Sequence, residues 1–255
     1  MGVSRETSEP GVAELVSRFG LPPRARGQLE ALLEQLEEDP LAPTTVTARS
    51  DAIGVHLADS LVALELGEVV RAQQIADLGA GAGFPGFCLA SALPSAAVWL
   101  VESAARKCEF LRRTRDRGGL DNAEVVCLRV EEWEAGRGRC DLVTARALAP
   151  LPVVAEYAAP LLRRGGHLVA WKGRRQADEE AAAHAAASLL GLTPLDPRPV
   201  TPYPGSRDRW LHRFEKTTAT PDRFPRRPGM ARKRPLGAGS AESSRTERKL
   251  EREPG

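Results

Sequence analysis

The sequence predicts an α/β fold, Rossmann-like, with a mostly parallel sheet and flanking helices, and three observations carry that prediction. From about residue 72, short apolar, β-branched runs alternate with helix-patterned segments. A glycine-rich turn containing Gly79, Gly81, Gly83 and Gly86 follows the first run and opens a helix. An acid, Glu102, ends the second run about twenty residues later, where a nucleoside ribose is held in such folds.

Residues 1–70 read as an N-terminal helical cap. Val12, Leu15, Val16 and Phe19 recur at i, i+3, i+4 and i+7, as do Leu29, Leu32, Leu33 and Leu36, and Pro40 and Pro43 end that second helix. A third helix is expected through "DAIGVHLADSLVALEL", where His56 and Asp59 share a face. That pair could shape a target pocket or anchor the cap to the main domain.

Residues 71–216 carry the strand candidates "QQIADL", "AVWLVES", "EVVCLRV", "DLVTARAL" and "GHLVAWKG", followed by extended stretches at "LDPRPV" and "RWLHRFEK". Seven strands result. The first five are apolar enough to be covered on both faces. Helices are expected between them at Pro85–Leu93, Ala104–Arg117, Leu151–Arg163 and Ala177–Leu190, with Pro85 suited to a first helical turn and Gly118-Gly119 to a C-terminus. Residues 217–255 are rich in Arg, Pro, Gly and Ser and poor in apolar side chains, so most of this basic tail is expected to be disordered.

The loop "IADLGAGAGFPGF" fits two cofactor patterns. One is the D-x-G-x-G-x-G turn of enzymes that use S-adenosyl-L-methionine, and the other is the G-x-G-x-x-G of nicotinamide and flavin enzymes. Glu102 suits either, because both ligands carry a ribose. Asp77 favours the first: its charge would repel a pyrophosphate, whereas it could approach the cationic end of S-adenosylmethionine. No His–Asp or Tyr–Lys pair of a nicotinamide site stands out.

Apolar content of 42%, charge of 27% and a net charge of only +2 describe a globular chain whose average charge selects no partner. The first ten residues contain no signal-like apolar run, no segment reaches membrane-spanning length, and a cytoplasmic, monomeric protein is expected. Cys88, Cys108, Cys127 and Cys140 lack zinc-ligand spacing, so they read as small buried hydrophobes and no metal is expected.

Further motifs, "HLADSL", "ARKCEFLRR", "LRVEEW", "DLVTARAL" and "LLRRGGHLVAWKG", follow one another around "DLGAGAGFPG". In this order they resemble the RsmG/GidB family of bacterial 16S rRNA guanine-N7 methyltransferases. Phe84-Pro85-Gly86 is the most diagnostic part, and "RFPRRPGMARKRPLG" resembles the family's tail. The resemblance implies a class I S-adenosylmethionine-dependent methyltransferase fold. It implies 16S rRNA or the 30S subunit as partner. It also implies a cofactor site: Gly79, Gly81 and Phe84 on the methionine and ribose side, Glu102 on the ribose, Val130 and Glu131 beside the adenine. Arg146 would face the cofactor near the transfer site, and Lys172 would stand on the same rim. The sequence departs from the family pattern at Val55, at "TTVTAR", at Thr144-Ala145 and at Arg106-Lys107, which bears on RNA docking more than on methyl transfer. Two basic stretches are candidates for RNA contact: the helix carrying Arg106, Lys107, Arg112, Arg113, Arg115 and Arg117, and the tail from Arg223 to Arg234.

Overall fold

A computed structural model describes residues 11–237; the first ten residues and positions 238–255 of the expected tail lie outside the described part. The chain opens with α1 (Val12–Arg18) and α2 (Ala25–Glu38), and α2 buries the expected stripe of Leu29, Leu32, Leu33 and Leu36. The third expected helix is broken. It runs as α3 (Arg49–Ala52), a π-helical turn (Ile53–Ala58), α4 (Asp59–Leu61) and a 3-10 turn (Val62–Glu65), before α5 (Gly67–Val70). Such π turns are rare and concentrate at functional sites, and this one carries His56.

The alternating region then forms β1 (Gln74–Leu78), α6 (Gly86–Ala92), β2 (Ala97–Val101), α7 (Ala105–Gly118), β3 (Ala123–Val126), β4 (Cys140–Arg146), α8 (Leu151–Ala158), β5 (Leu162–Lys172), α9 (Ala177–Leu190), β6 (Leu192–Pro199) and β7 (Trp210–Lys216). The seven strands form one sheet in the order β3-β2-β1-β4-β5-β7-β6. All neighbours are parallel except β7, which runs antiparallel to β5 and β6. Strand order reverses between β1 and β4, so the loops after these two strands diverge and open a crevice at the strands' C-terminal ends.

Strand alternation divides the apolar side chains between two cores. Ile75, Val98, Leu100, Leu142 and Val169 face α1, α2, α6 and α7, so the N-terminal helices share a core with one face of the sheet. Ala76, Trp99, Val101, Val143 and Leu168 face α8 and α9 on the other side. Each side chain sits where its period-2 position sends it.

Several expectations need correction. Helix α8 stops at Ala158 instead of Arg163, because Leu162 already pairs with Cys140 in the sheet. Cys108 and Cys127 form a disulfide, their Cα atoms 5.8 Å apart, and are not isolated thiols; Cys88 and Cys140 are the buried free cysteines. The segment 217–237 does not behave as a disordered tail: Phe224 is buried, and α10 (Met230–Lys233) packs on α8. Four of the basic residues of α7 are spent on carboxylates. Arg117 pairs with Glu34 and Glu38, Arg113 with Asp39, Arg112 with Glu109 and Arg115 with Asp116. The first two join α7 to α2 and its cap. Among the described residues no helix is long and apolar enough to cross a membrane, and no cluster of three or more His, Cys, Asp or Glu could hold a metal ion.

Candidate functional site

The glycine turn after β1 is held from beneath by Asp77. Its Oδ2 accepts the Gly86 N–H at 2.9 Å and its Oδ1 accepts the Thr144 hydroxyl at 2.9 Å. Burial raises this carboxyl to about 6, against the hydrogen bonds, which lower it. Asp77 lines none of the cavities below. Its place is structural: it ties the turn and the start of α6 to β4.

The turn itself needs glycine. Gly79, at φ +64°, would place a Cβ 2.5 Å from Leu148 Cδ1, and Gly83, at φ +92°, would drive one into the Phe87 ring. The Phe84–Pro85 peptide is cis, and the Phe84 ring stacks on His56 with centroids 4.7 Å apart.

At the end of β2, Glu102 is nearly buried. Its Oε1 accepts the N–H groups of Ser103 and Ala104 at the start of α7, and its Oε2 accepts from Gly81 at 3.2 Å. Lys107 Nζ stands 3.9 Å from the same oxygen. Glu102 therefore joins the glycine turn to the next helix while one edge of its carboxylate faces a cavity of about 450 Å³. Gly79, Val130 and Glu131 line that cavity with it, together with three residues that sequence reasoning missed: Leu148, Tyr157 and Arg232.

Arg146 closes β4. Its Nη1 donates to the Val55 carbonyl at 2.8 Å and to Asp59 Oδ2 at 3.0 Å, and its Nη2 lies 3.1 Å from His56 Nδ1. His56 Nε2 lies 3.0 Å from the Val46 carbonyl, so that nitrogen carries the proton and Nδ1 accepts from Arg146. Burial and the Arg146 charge hold the imidazole down to about 4, leaving it neutral at ordinary pH. The His56–Asp59 pair fastens the N-terminal helices to β4 through Arg146, and both residues line a cavity.

Two further cavities meet at Arg146. One, of about 250 Å³, lies over the turn between Gly79, Gly81, Phe84, His56 and Arg146. The other, of about 400 Å³, is walled by Asp59, Arg146, Trp171, Lys172, Arg209 and Trp210. Ala147 lines all three cavities, and its φ of +53° is uncommon for a residue with a side chain. Lys172 Nζ is neutralised by Glu179 Oε1 at 2.6 Å. Trp171 donates its Nε1 proton to the Asp59 carbonyl at 2.7 Å, which fixes its ring as a wall. The aromatic and Arg209 walls had no signal in the sequence, since residues far apart in the chain supply them.

A family model described as rRNA small subunit methyltransferase G (GidB) matches residues 32–198. The chain belongs to this family. It is 42% identical over 190 residues to the ribosomal RNA small subunit methyltransferase G of Rubrobacter xylanophilus, covering 72% of this chain and 73% of the relative. Its similarity to the enzyme of the same name from Chloroflexus aggregans is 39% over 230 residues, covering 88% of this chain and 96% of the relative. Among solved structures, a SAM-dependent methyltransferase from Aquifex aeolicus matches with a TM-score of 0.53 at 13% identity, over 72% of this chain and 97% of that one. A mutant of MtNAS in complex with S-adenosylmethionine matches with a TM-score of 0.51 at 17% identity, over 81% and 78%. At such identities the structural matches speak to the fold, which for this family member is the Rossmann-like methyltransferase fold expected from the sequence.

Proposed function

We propose that this family member transfers a methyl group from S-adenosylmethionine to N7 of a guanine in 16S rRNA. The observation that carries the reading is the junction at Arg146 and Ala147, where the two cavities bordered by the glycine turn meet the tryptophan-walled cavity. Gly79, Gly81, Phe84, Glu102, Val130 and Glu131 would hold the cofactor, and the cavity between Arg146, Trp171 and Trp210 would take the base. The fit rests on chemistry already present: a turn where a Cβ on Gly79 or Gly83 would clash, a carboxylate edge for ribose hydroxyls, and aromatic walls for a purine.

Bound S-adenosylmethionine supplies a methyl group on a positively charged sulfur, so the lone pair of guanine N7 can take it without prior loss of a proton. This matches the polar groups at the junction, which are committed to one another. His56 is neutral with both nitrogens engaged, Arg146 is bonded to Val55, Asp59 and His56, and Lys172 is paired with Glu179. They hold geometry, and orientation of two reactants is the larger part of what such a transfer needs. Asp77 supports the turn from behind. Exposed Arg174 and Arg207, respectively next to Gly173 and two residues from Arg209 in the chain, would offer positive charge to an approaching RNA strand.

Calorimetric titration tests the cofactor. S-adenosylhomocysteine should bind one site per chain and NAD should not; binding of NAD alone would sink the assignment.

A further inference from the structure

The C-terminal segment from Phe224 to Arg234 lies beyond the matched residues 32–198, and it is fastened to α8 by buried contacts. Phe224 and Ala231 enter the core beside α8. Arg226 makes a bidentate pair with the fully buried Glu156, at 2.8 Å from Nε to Oε1 and 2.6 Å from Nη2 to Oε2. Its backbone N–H donates to the same carboxylate at 3.1 Å, and its Nη2 also donates to the Arg234 carbonyl at 2.8 Å, closing the segment into a loop. From that anchor the chain turns at Gly229, φ +80°, whose N–H donates to Glu131 Oε1 at 3.0 Å. One turn later Arg232 donates through Nη2 to the Leu148 carbonyl at 3.0 Å and joins the wall of the 450 Å³ cavity.

The segment thus touches the loop after β3 through Glu131 and the loop after β4 through Leu148, both of which wall the cavity beside Glu102. We infer that residues 224–234 form a strap that completes the cofactor cavity, and that Arg232 is a binding residue for the adenosine portion of the ligand. The inference rests on the proposed cofactor reading. Its chemistry is that of a guanidinium at the rim of a nucleoside site, offering donors to the nitrogen and oxygen acceptors of adenine and ribose. Three of the tail's basic residues consequently have partners inside the protein: Arg226 on Glu156, Arg232 on Leu148, and Arg223 over the Phe224 ring.

The test is titration of the full chain with S-adenosylhomocysteine, together with hydrogen exchange of the strap amides. Arg232→Ala should weaken binding about tenfold, the scale of one hydrogen bond to a charged group. Lys233→Ala, in the same turn but outside the cavity wall, should bind as the native protein does. A Glu156→Met/Arg226→Met double variant removes the anchor without leaving a buried charge alone, and should also bind more weakly. In the native protein the ligand should slow exchange at Gly229 and Arg232. Native affinity in both Arg232→Ala and the double variant, with no ligand protection of the strap, overturns the inference. Absence of binding by the native protein overturns the cofactor reading itself, which keeps the two failures apart.

Discussion

His56 and Asp77 are buried titratable groups near the junction, and their shifts pull stability in opposite directions with pH. His56 is lowered to about 4 from 6.5, so the unfolded chain binds more protons between those values. Its contribution is fully present above pH 6.5 and is lost as pH falls toward 4. Asp77 is raised to about 6 from 3.8, so its carboxyl favours the fold most below pH 3.8 and progressively less as pH rises to 6. Thermal unfolding of the native protein alone mixes the two slopes. Compared with it, His56→Gln should flatten the acid-side loss between pH 6.5 and 4. Asp77→Asn should gain stability relative to the native protein from pH 3.8 to 6 and keep that gain above. An Asp77→Asn curve parallel to the native one would mean that the carboxylate is not penalised by burial.

At the scale of elements, the turn from β1 into α6 is set by close approach as much as by backbone conformation. A Cβ on Gly86 would lie 2.2 Å from Leu100 Cδ2 and 2.9 Å from Asp77 Oδ2, whereas one on Gly81 meets only the Gly79 carbonyl at 3.7 Å. Gly86→Ala should therefore cost about 1–3 kcal/mol through overpacking. Gly81→Ala should cost about 1 kcal/mol, from its positive φ alone. Denaturant unfolding that ranked them the other way would contradict this account of the turn. The turn was legible in the sequence because its signal is local: glycines after a strand, with Pro85 opening a helix. The strands were legible for the same reason, as runs such as "QIADL" and "AVWLV" cover both faces with apolar side chains. The third N-terminal helix was misread because apolar spacing cannot distinguish one α-helix from α, π and 3-10 pieces in succession. Asp77 was recognised as important, but its hydrogen bonds to Gly86 and Thr144 were not legible. Its neighbours Gly86 and Thr144 meet it only when β1 and β4 pair, a long-range contact that no spacing rule reports. The strap was missed because a composition rich in Arg and Pro argues for disorder unless buried acids such as Glu156 wait for it.

At the scale of the whole molecule, one sheet brings together contributions from distant parts of the described chain: the glycine turn, the ends of β2, β4 and β5, the π turn of the N-terminal helices and the C-terminal segment. Of the basic face suggested for RNA on α7, Arg113 and Arg117 brace α2 and its C-terminal cap. On the proposed reading, Arg209 in the lining of the tryptophan-walled cavity, with exposed Arg174 and Arg207 close to it in the chain, would supply positive charge for RNA. The most direct test of the central claim is a transfer reaction with radiolabelled S-adenosylmethionine and 30S subunits or naked 16S rRNA lacking the modification, followed by base-specific cleavage at N7-methylguanine. The account predicts label at a single guanine, released as N7-methylguanine. Label on another base or another guanine atom, or cofactor binding with no label on either RNA, would contradict it.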